Sequence, residues 1–194
     1  MTTIVAVRKN GIVAIAADTL TTFGNTRLPA TMDSSHDKIL HIGDSYVGVC
    51  GSAAHHLVLA SLLGKSTDVQ LNSKEAIFET FRKLHPVLKE ECFLNPKEDE
   101  EDPYESSQIT ALIINASGLY GIFSMREVFE YTQYWAIGSG HEFALGAMQH
   151  AYPQLESASD IARAGVEAGI AFDKNSAAPV TLYTVTLNPT TILP

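Results

Sequence analysis

The first stretch of the chain, Ile4 to Asp18, is densely apolar on both sides of Asn10-Gly11. Both turn residues tolerate positive φ, so the pattern predicts a hairpin of two buried strands. Residues 19–36 are rich in Thr, Ser and Gly, carry little periodicity and read as a loop. A second strand pair is expected over 38–42 and 45–50, around a Gly43-Asp44 turn. SAAHHLVLASLLG then has helical character, with Ser52 placed to cap it and Gly64 to end it. Further on, Ile77, Phe78, Phe81, Leu84 and Leu88 recur at helical spacing on one face. Pro86 is expected to kink or split that helix.

The stretch FLNPKEDEEDPYESS is acidic, holds two prolines and reads as a solvated loop. Residues 108–140 predict three or four consecutive strands with Gly-containing turns. GHEFALGAMQHAY and SASDIARAGVEAGIAFD predict two helices, the second with Ser157 and Asp160 forming a capping box that has Asp in place of Glu. APVTLYTVTL is a last strand. The order is strands, two helices, strands, two helices, strand. Most strands are joined by hairpins, which implies antiparallel sheets with helices outside rather than a doubly wound parallel fold. The expected class is α+β, a four-layer αββα sandwich of two antiparallel sheets flanked by helix pairs. No internal repeat and no linker divides the chain, so residues 1–194 are expected to form a single domain.

Composition narrows the function classes. With 194 residues, 45% hydrophobic and 18% charged, the chain can bury a sizeable core. Its net charge of −9 argues against a nucleic-acid surface. No apolar run has the length of a membrane span, and no h-region follows Arg8 and Lys9, so neither a membrane anchor nor a signal peptide is expected. Two cysteines, Cys50 and Cys92, make no disulfide framework and suit a reducing cytoplasm.

Spacing constrains the candidate chemistry. His55 and His56 are adjacent and would point about 100° apart on a helix. The other histidines show no ligand spacing, and HExxH and CxxC are absent, so no metal site built from these side chains is expected. GxSxG is absent too, and Gly138-Ser139-Gly140 has the composition of a turn. The N-terminus offers another route. Removal of Met1 would leave Thr2 with a hydroxyl and an α-amine, whose pKa of about 7.7–8.0 lets it act as a base for that hydroxyl. Such a site needs a cation, a carboxylate to hold it, and backbone N–H groups for an oxyanion. Asp18 closes the second strand and Lys38 opens the third, where both can lie beside Thr2; as a surface ion pair alone they would contribute little. Thr3 reads as an ordinary strand residue.

These residues resemble the proteasome β-type threonine peptidases, and the bacterial HslV type in particular, along nearly the whole chain. The family's opening Thr-Thr falls on Thr2-Thr3, its acidic residue on Asp18, its Lys-Ile on Lys38-Ile39 and its Gly-Ser-Gly on Gly138-Ser139-Gly140. Its Ala-Gly-x-x-Gly resembles Val47 to Gly51, and its Asp-x-x-Ser falls on Asp173 to Ser176. The resemblance implies an N-terminal nucleophile hydrolase in which Thr2 attacks peptide bonds and its amine acts as base through a water. It implies that Lys38, held by Asp18, assists deprotonation, that the Gly48 N–H binds the oxyanion, and that Ser139, Asp173 and Ser176 orient the amine. Thr22 would bind extended peptide, and Tyr46 and Cys50 would shape the pocket before the scissile bond. No cofactor is implied as required, although carbonyls near Ile170, Asp173 and Ser176 hold Na⁺ or Mg²⁺ in some relatives. Implied partners are further copies in stacked rings, unfolded protein substrate and an ATP-dependent unfoldase.

Two features depart from that pattern: a longer acidic loop around Glu98–Asp102 and the C-terminal NPTTILP. They suggest a less common bacterial branch. Two alternatives stay open, a small-amide hydrolase using the same Thr2 and a non-catalytic ring subunit.

Overall fold

The computed structural model describes residues 2–65, 69–97 and 101–189. Met1, most of the Glu98–Asp102 stretch and the end of NPTTILP lie outside the described residues. Among the described residues, eleven strands and four helices follow one another as β1 (Thr3–Lys9), β2 (Ile12–Asp18), β3 (Thr21–Phe23), β4 (Thr26–Leu28), β5 (Ile39–Ile42), β6 (Ser45–Cys50), α1 (Ala53–Lys65), α2 (Lys74–Glu90), β7 (Thr110–Asn115), β8 (Gly118–Ile122), β9 (Val128–Glu130), β10 (Tyr134–Gly138), α3 (His141–Ala151), α4 (Ala158–Phe172) and β11 (Val180–Thr186). They make a four-stranded sheet, β10-β1-β2-β11, and a five-stranded sheet, β5-β6-β7-β8-β9, with every pairing antiparallel.

The apolar density of β1 and β2 follows from their place in the stack. Ile4, Ala6, Val13, Ile15 and Ala17 face the second sheet and pack with Leu112, Ile114 and Leu119. Their neighbours Val5, Val7, Ala14 and Ala16 face outward and pack with Ala144, Met148, Ile161 and Val166 of α3 and α4. Both faces of the hairpin are therefore dry, and strict apolar–polar alternation is not called for. On the far side, Leu59, Leu63, Ile77, Phe81 and Leu88 of α1 and α2 cover Val47, Val49, Ala111 and Ile113. The αββα sandwich expected from the element order is the observed architecture. No helix among the described residues is long and apolar enough to cross a membrane.

Several local expectations need correction. The segment 19–36 holds the small β3–β4 hairpin and a 3-10 turn at Ala30–Met32; its strands are three residues long and largely exposed, so no apolar period marks them. α2 runs unbroken from Lys74 to Glu90 through Pro86. Leu84, His85 and Leu88 are buried on both sides of the proline, and that packing holds the helix across the one missing N–H. Phe78 does not join the buried face, since it is 42% exposed. The fourth strand of the 108–140 run, β10, leaves its predecessors and pairs with β1 in the other sheet. Ser157 does cap α4, accepting from the Asp160 N–H at 3.2 Å.

Phe81→Ala removes a fully buried ring and is expected to cost about 3–5 kcal/mol in urea unfolding. Phe78→Ala on the same helix is expected to stay within about 1 kcal/mol. Equal losses would place Phe78 in the core after all.

Candidate active site

Antiparallel register gathers the ends of distant segments. Ile4 lies opposite Ala17, Thr3 opposite Gly138, and Asp18 opposite Val180. The start of β1 therefore meets the end of β2, the end of β10 and the start of β11. From the second sheet, Lys38 comes to the same rim just before β5, where Val49 N–H bonds its carbonyl at 3.1 Å.

At this rim the Thr2 hydroxyl donates to Asp18 Oδ1 at 2.5 Å. It accepts from Lys38 Nζ at 2.7 Å, and the same ammonium reaches Asp18 Oδ1 at 2.8 Å. Asp18 is fully buried. Backbone donors complete its shell: Thr3 N–H at 2.9 Å on Oδ1, with Leu20 N–H at 3.0 Å and Ala177 N–H at 3.1 Å on Oδ2. The Lys38 side chain is 14% exposed. Burial lowers its pKa, against the opposing pull of Asp18.

A second carboxylate serves the nitrogen side. Thr2 N–H donates to Ser139 Oγ at 3.2 Å, and Ser139 donates to Asp173 Oδ2 at 2.6 Å. Ser176 also donates to Asp173 Oδ2, at 2.9 Å, while the backbone and side-chain N–H groups of Asn175 take Oδ1, each at 3.1 Å. Burial acts to raise the Asp173 pKa, but the hydrogen bonds from Ser139, Asn175 and Ser176 outweigh it and hold the carboxyl below its usual range. Asp173 sits at the C-cap of α4, and its own carbonyl accepts from Ser176 N–H at 3.0 Å.

Beside Thr2 opens a cavity of about 400 Å³, lined among others by Thr22, Lys38, Val49, Cys50, Gly51, Ala53 and His56. Thr2, Asp18, Lys38, Ser139, Asp173 and Ser176 thus converge, and Thr22 and Cys50 line the cavity. Two expected residues are elsewhere. Gly48 lies mid-strand between Ile39 and Leu112, and a Cβ on it would meet Ile4 Cγ2 at 2.8 Å inside the sandwich. It is a ladder residue. Gly51, just past β6 with φ of 113°, is the glycine at the cavity wall. Gly48 and Gly51 belong to the same short motif, which does not by itself mark the one that reaches the cavity. Tyr46 is also away from the cavity, stacked between His41 and Tyr183 at centroid distances of 4.8 and 4.6 Å. Asn175, His56 and Thr3 also contribute here, although none of them was expected as a site residue. Burial lowers the His56 pKa, with Asp37 opposing.

The profile of the family Proteasome, described as proteasome subunit, matches residues 1–185. A solved structure of Thiobacillus denitrificans BPH is 41% identical, with a TM-score of 0.90, covering 96% of this chain and 99% of that one. The same protein in complex with epoxomicin is 40% identical, with a TM-score of 0.89 over 96% of this chain and 100% of that one. Eukaryotic HslV from Trypanosoma brucei shares the fold at 22% identity, with a TM-score of 0.70 over 95% and 99% of the two chains. No curated protein matches the chain. The chain belongs to the proteasome family and has the β-type, HslV-like fold of N-terminal nucleophile hydrolases.

The cavity wall also carries the Cys50 thiol. Burial pushes Cys50 up to about 11, so the thiolate is scarce. Iodoacetamide is expected to modify Cys50 slowly at neutral pH, with a rate still climbing about tenfold per pH unit near pH 9. Peptide mass mapping reads this, and a plateau below that pH would restore an ordinary thiol.

Proposed function

We propose that the protein is a threonine endopeptidase whose nucleophile is Thr2, exposed by removal of Met1, working inside stacked rings of identical subunits. The observation that carries the reading is the placement of the Thr2 hydroxyl between Asp18 Oδ1 and Lys38 Nζ. Asp18 receives the hydroxyl proton as a hydrogen bond and fixes the ammonium. Lys38 stands where negative charge grows on Oγ1 as the proton leaves. The freed α-amine is the base, taking that proton through a water. Ser139, Asp173 and Ser176 orient the amine.

Oγ1 attacks the peptide carbonyl carbon, and the carbonyl oxygen becomes the oxyanion. Its position on the cavity wall makes Gly51 N–H the donor for that charge, in place of Gly48. Collapse expels the amine of the leaving peptide, which takes the proton, and leaves an ester on Thr2. Water, deprotonated by the same amine, hydrolyses the ester and regenerates the hydroxyl. Thr22 backbone groups would pair with an extended substrate as an added strand does. Cys50, Val49 and Ala53 would line the pocket for the residue before the cut bond. A Na⁺ or Mg²⁺ on the carbonyls of Ile170, Asp173 and Ser176 belongs to the proposal as a structural ion: Ile170 lies in the last turn of α4, where carbonyls and the helix dipole favour a hard cation. It would brace the Asp173 turn. Residence in the cytoplasm, an ATP-dependent unfoldase as partner, and unfolded protein as substrate complete the reading; nucleic acid and membrane are not part of it.

The intact site supports catalysis over a vestigial ring subunit, and the epoxomicin complex of the Thiobacillus denitrificans protein supplies the probe. Intact-mass measurement on the assembled particle is expected to show Met1 absent and one epoxomicin per subunit. Thr2→Ala is expected to abolish labelling and keep assembly; surviving label would point to another nucleophile. Lys38→Ala is expected to slow labelling by at least about a hundredfold without unfolding. Retention of Met1 on natively expressed protein would remove the base and sink the mechanism.

A further inference from the structure

We infer that Thr3 is a positioning residue that ties the carboxylate at the oxygen of the nucleophile to the carboxylate at its nitrogen. The inference rests on the reading of Thr2 as nucleophile. Thr3 is fully buried. Its backbone N–H donates to Asp18 Oδ1 at 2.9 Å, and its hydroxyl meets Ser176 Oγ at 2.8 Å.

Counting protons fixes the direction of the second bond. Ser176 has one hydroxyl proton, and it goes to Asp173 Oδ2. Thr3 must then be the donor to Ser176. Ser139 spends its proton on the same Oδ2 at 2.6 Å and accepts from Thr2 N–H. Two donor arms, Thr3 to Ser176 and Thr2 nitrogen to Ser139, therefore converge on Asp173 Oδ2, and Thr3 sets the direction of the Ser176 arm from its far end.

The surroundings are shaped to this hydroxyl. A Cβ on Gly140 would lie 2.0 Å from Thr3 Oγ1, and one on Gly169 2.4 Å from it. Strand preference alone does not account for such a site. Val5 and Val7, the next residues on the same face of β1, are apolar against α3 and α4, and a valine at position 3 would fill nearly the same space. What valine lacks is the proton that Ser176 accepts. Without it Ser176 is free to turn, its bond to Asp173 weakens, and the carboxylate holds the Thr2 amine more firmly as ammonium.

The rate of epoxomicin labelling, followed by intact mass across pH, tests this. Thr3→Val is expected to label about tenfold more slowly, with the midpoint of the pH profile moved to higher pH. Thr3→Ser is expected to bring both back towards wild type. If Thr3→Val fails to assemble, Thr3→Cys, with its weak thiol donor, is expected to lie between. Wild-type rate and midpoint in Thr3→Val or Thr3→Cys would overturn the inference. So would a Thr3→Ser variant as slow as Thr3→Val, because the methyl group would then be what matters. A wild-type protein that takes no label at Thr2 overturns the nucleophile reading and this inference together; label on wild type with no response at position 3 overturns the inference alone.

Discussion

Asp18 is the carboxylate around which the site is assembled. Burying an ionised carboxylate costs several kcal/mol unless donors replace its water. Here the donors are Thr2 Oγ1, Thr3 N–H, Lys38 Nζ, Leu20 N–H and Ala177 N–H. They come from the start of β1, the approach to β5, the turn after β2 and the turn before β11. Satisfying one charge therefore requires four separate parts of the chain to meet. The folded topology and the polar arrangement around Thr2 therefore depend on each other.

Asp173 repeats this logic at the other pole of Thr2, with a different solution. Its shell is built from short-range partners, Asn175 and Ser176 in its own turn, plus Ser139 from the β10–α3 junction. Asp18 locks the oxygen and Asp173 locks the nitrogen. Thr2 is thereby held at both its hydroxyl and its nitrogen.

Much of this was legible in the chain. Hairpin turns at Asn10-Gly11 and Gly43-Asp44, the Ser157 cap and the apolar spacing in α2 each reflect local physics, and local physics is written locally. Asp18 and Lys38 were legible as a carboxylate and a cation at element ends. What was not legible depended on pairing at long range. β10 joins β1 because of the stacking of sheets, which no period in Tyr134–Gly138 announces. Gly48 and Gly51 differ by three positions, and only the end of the β6 ladder separates a glycine in the core from one at the cavity. Tyr46 was expected at the pocket, but its ring direction depends on Tyr183, far along the chain. Thr3 fits a strand by its sequence alone, and only the fold sets Gly140 and Gly169 against it.

The pairing of β10 with β1 has a mechanical consequence. Thr2, Asp18 and Ser139 ride on one sheet, whereas Lys38 and Gly51 ride on the other. The contact between Lys38 Nζ and Thr2 Oγ1 therefore bridges two slabs whose interface is largely apolar, with Thr181 and Tyr183 of β11 also reaching Asp37. Shear of one slab over the other by even an ångström would separate cation from hydroxyl while leaving every backbone ladder intact. The Lys38–Thr2 contact is thus a gauge of how the two slabs are aligned.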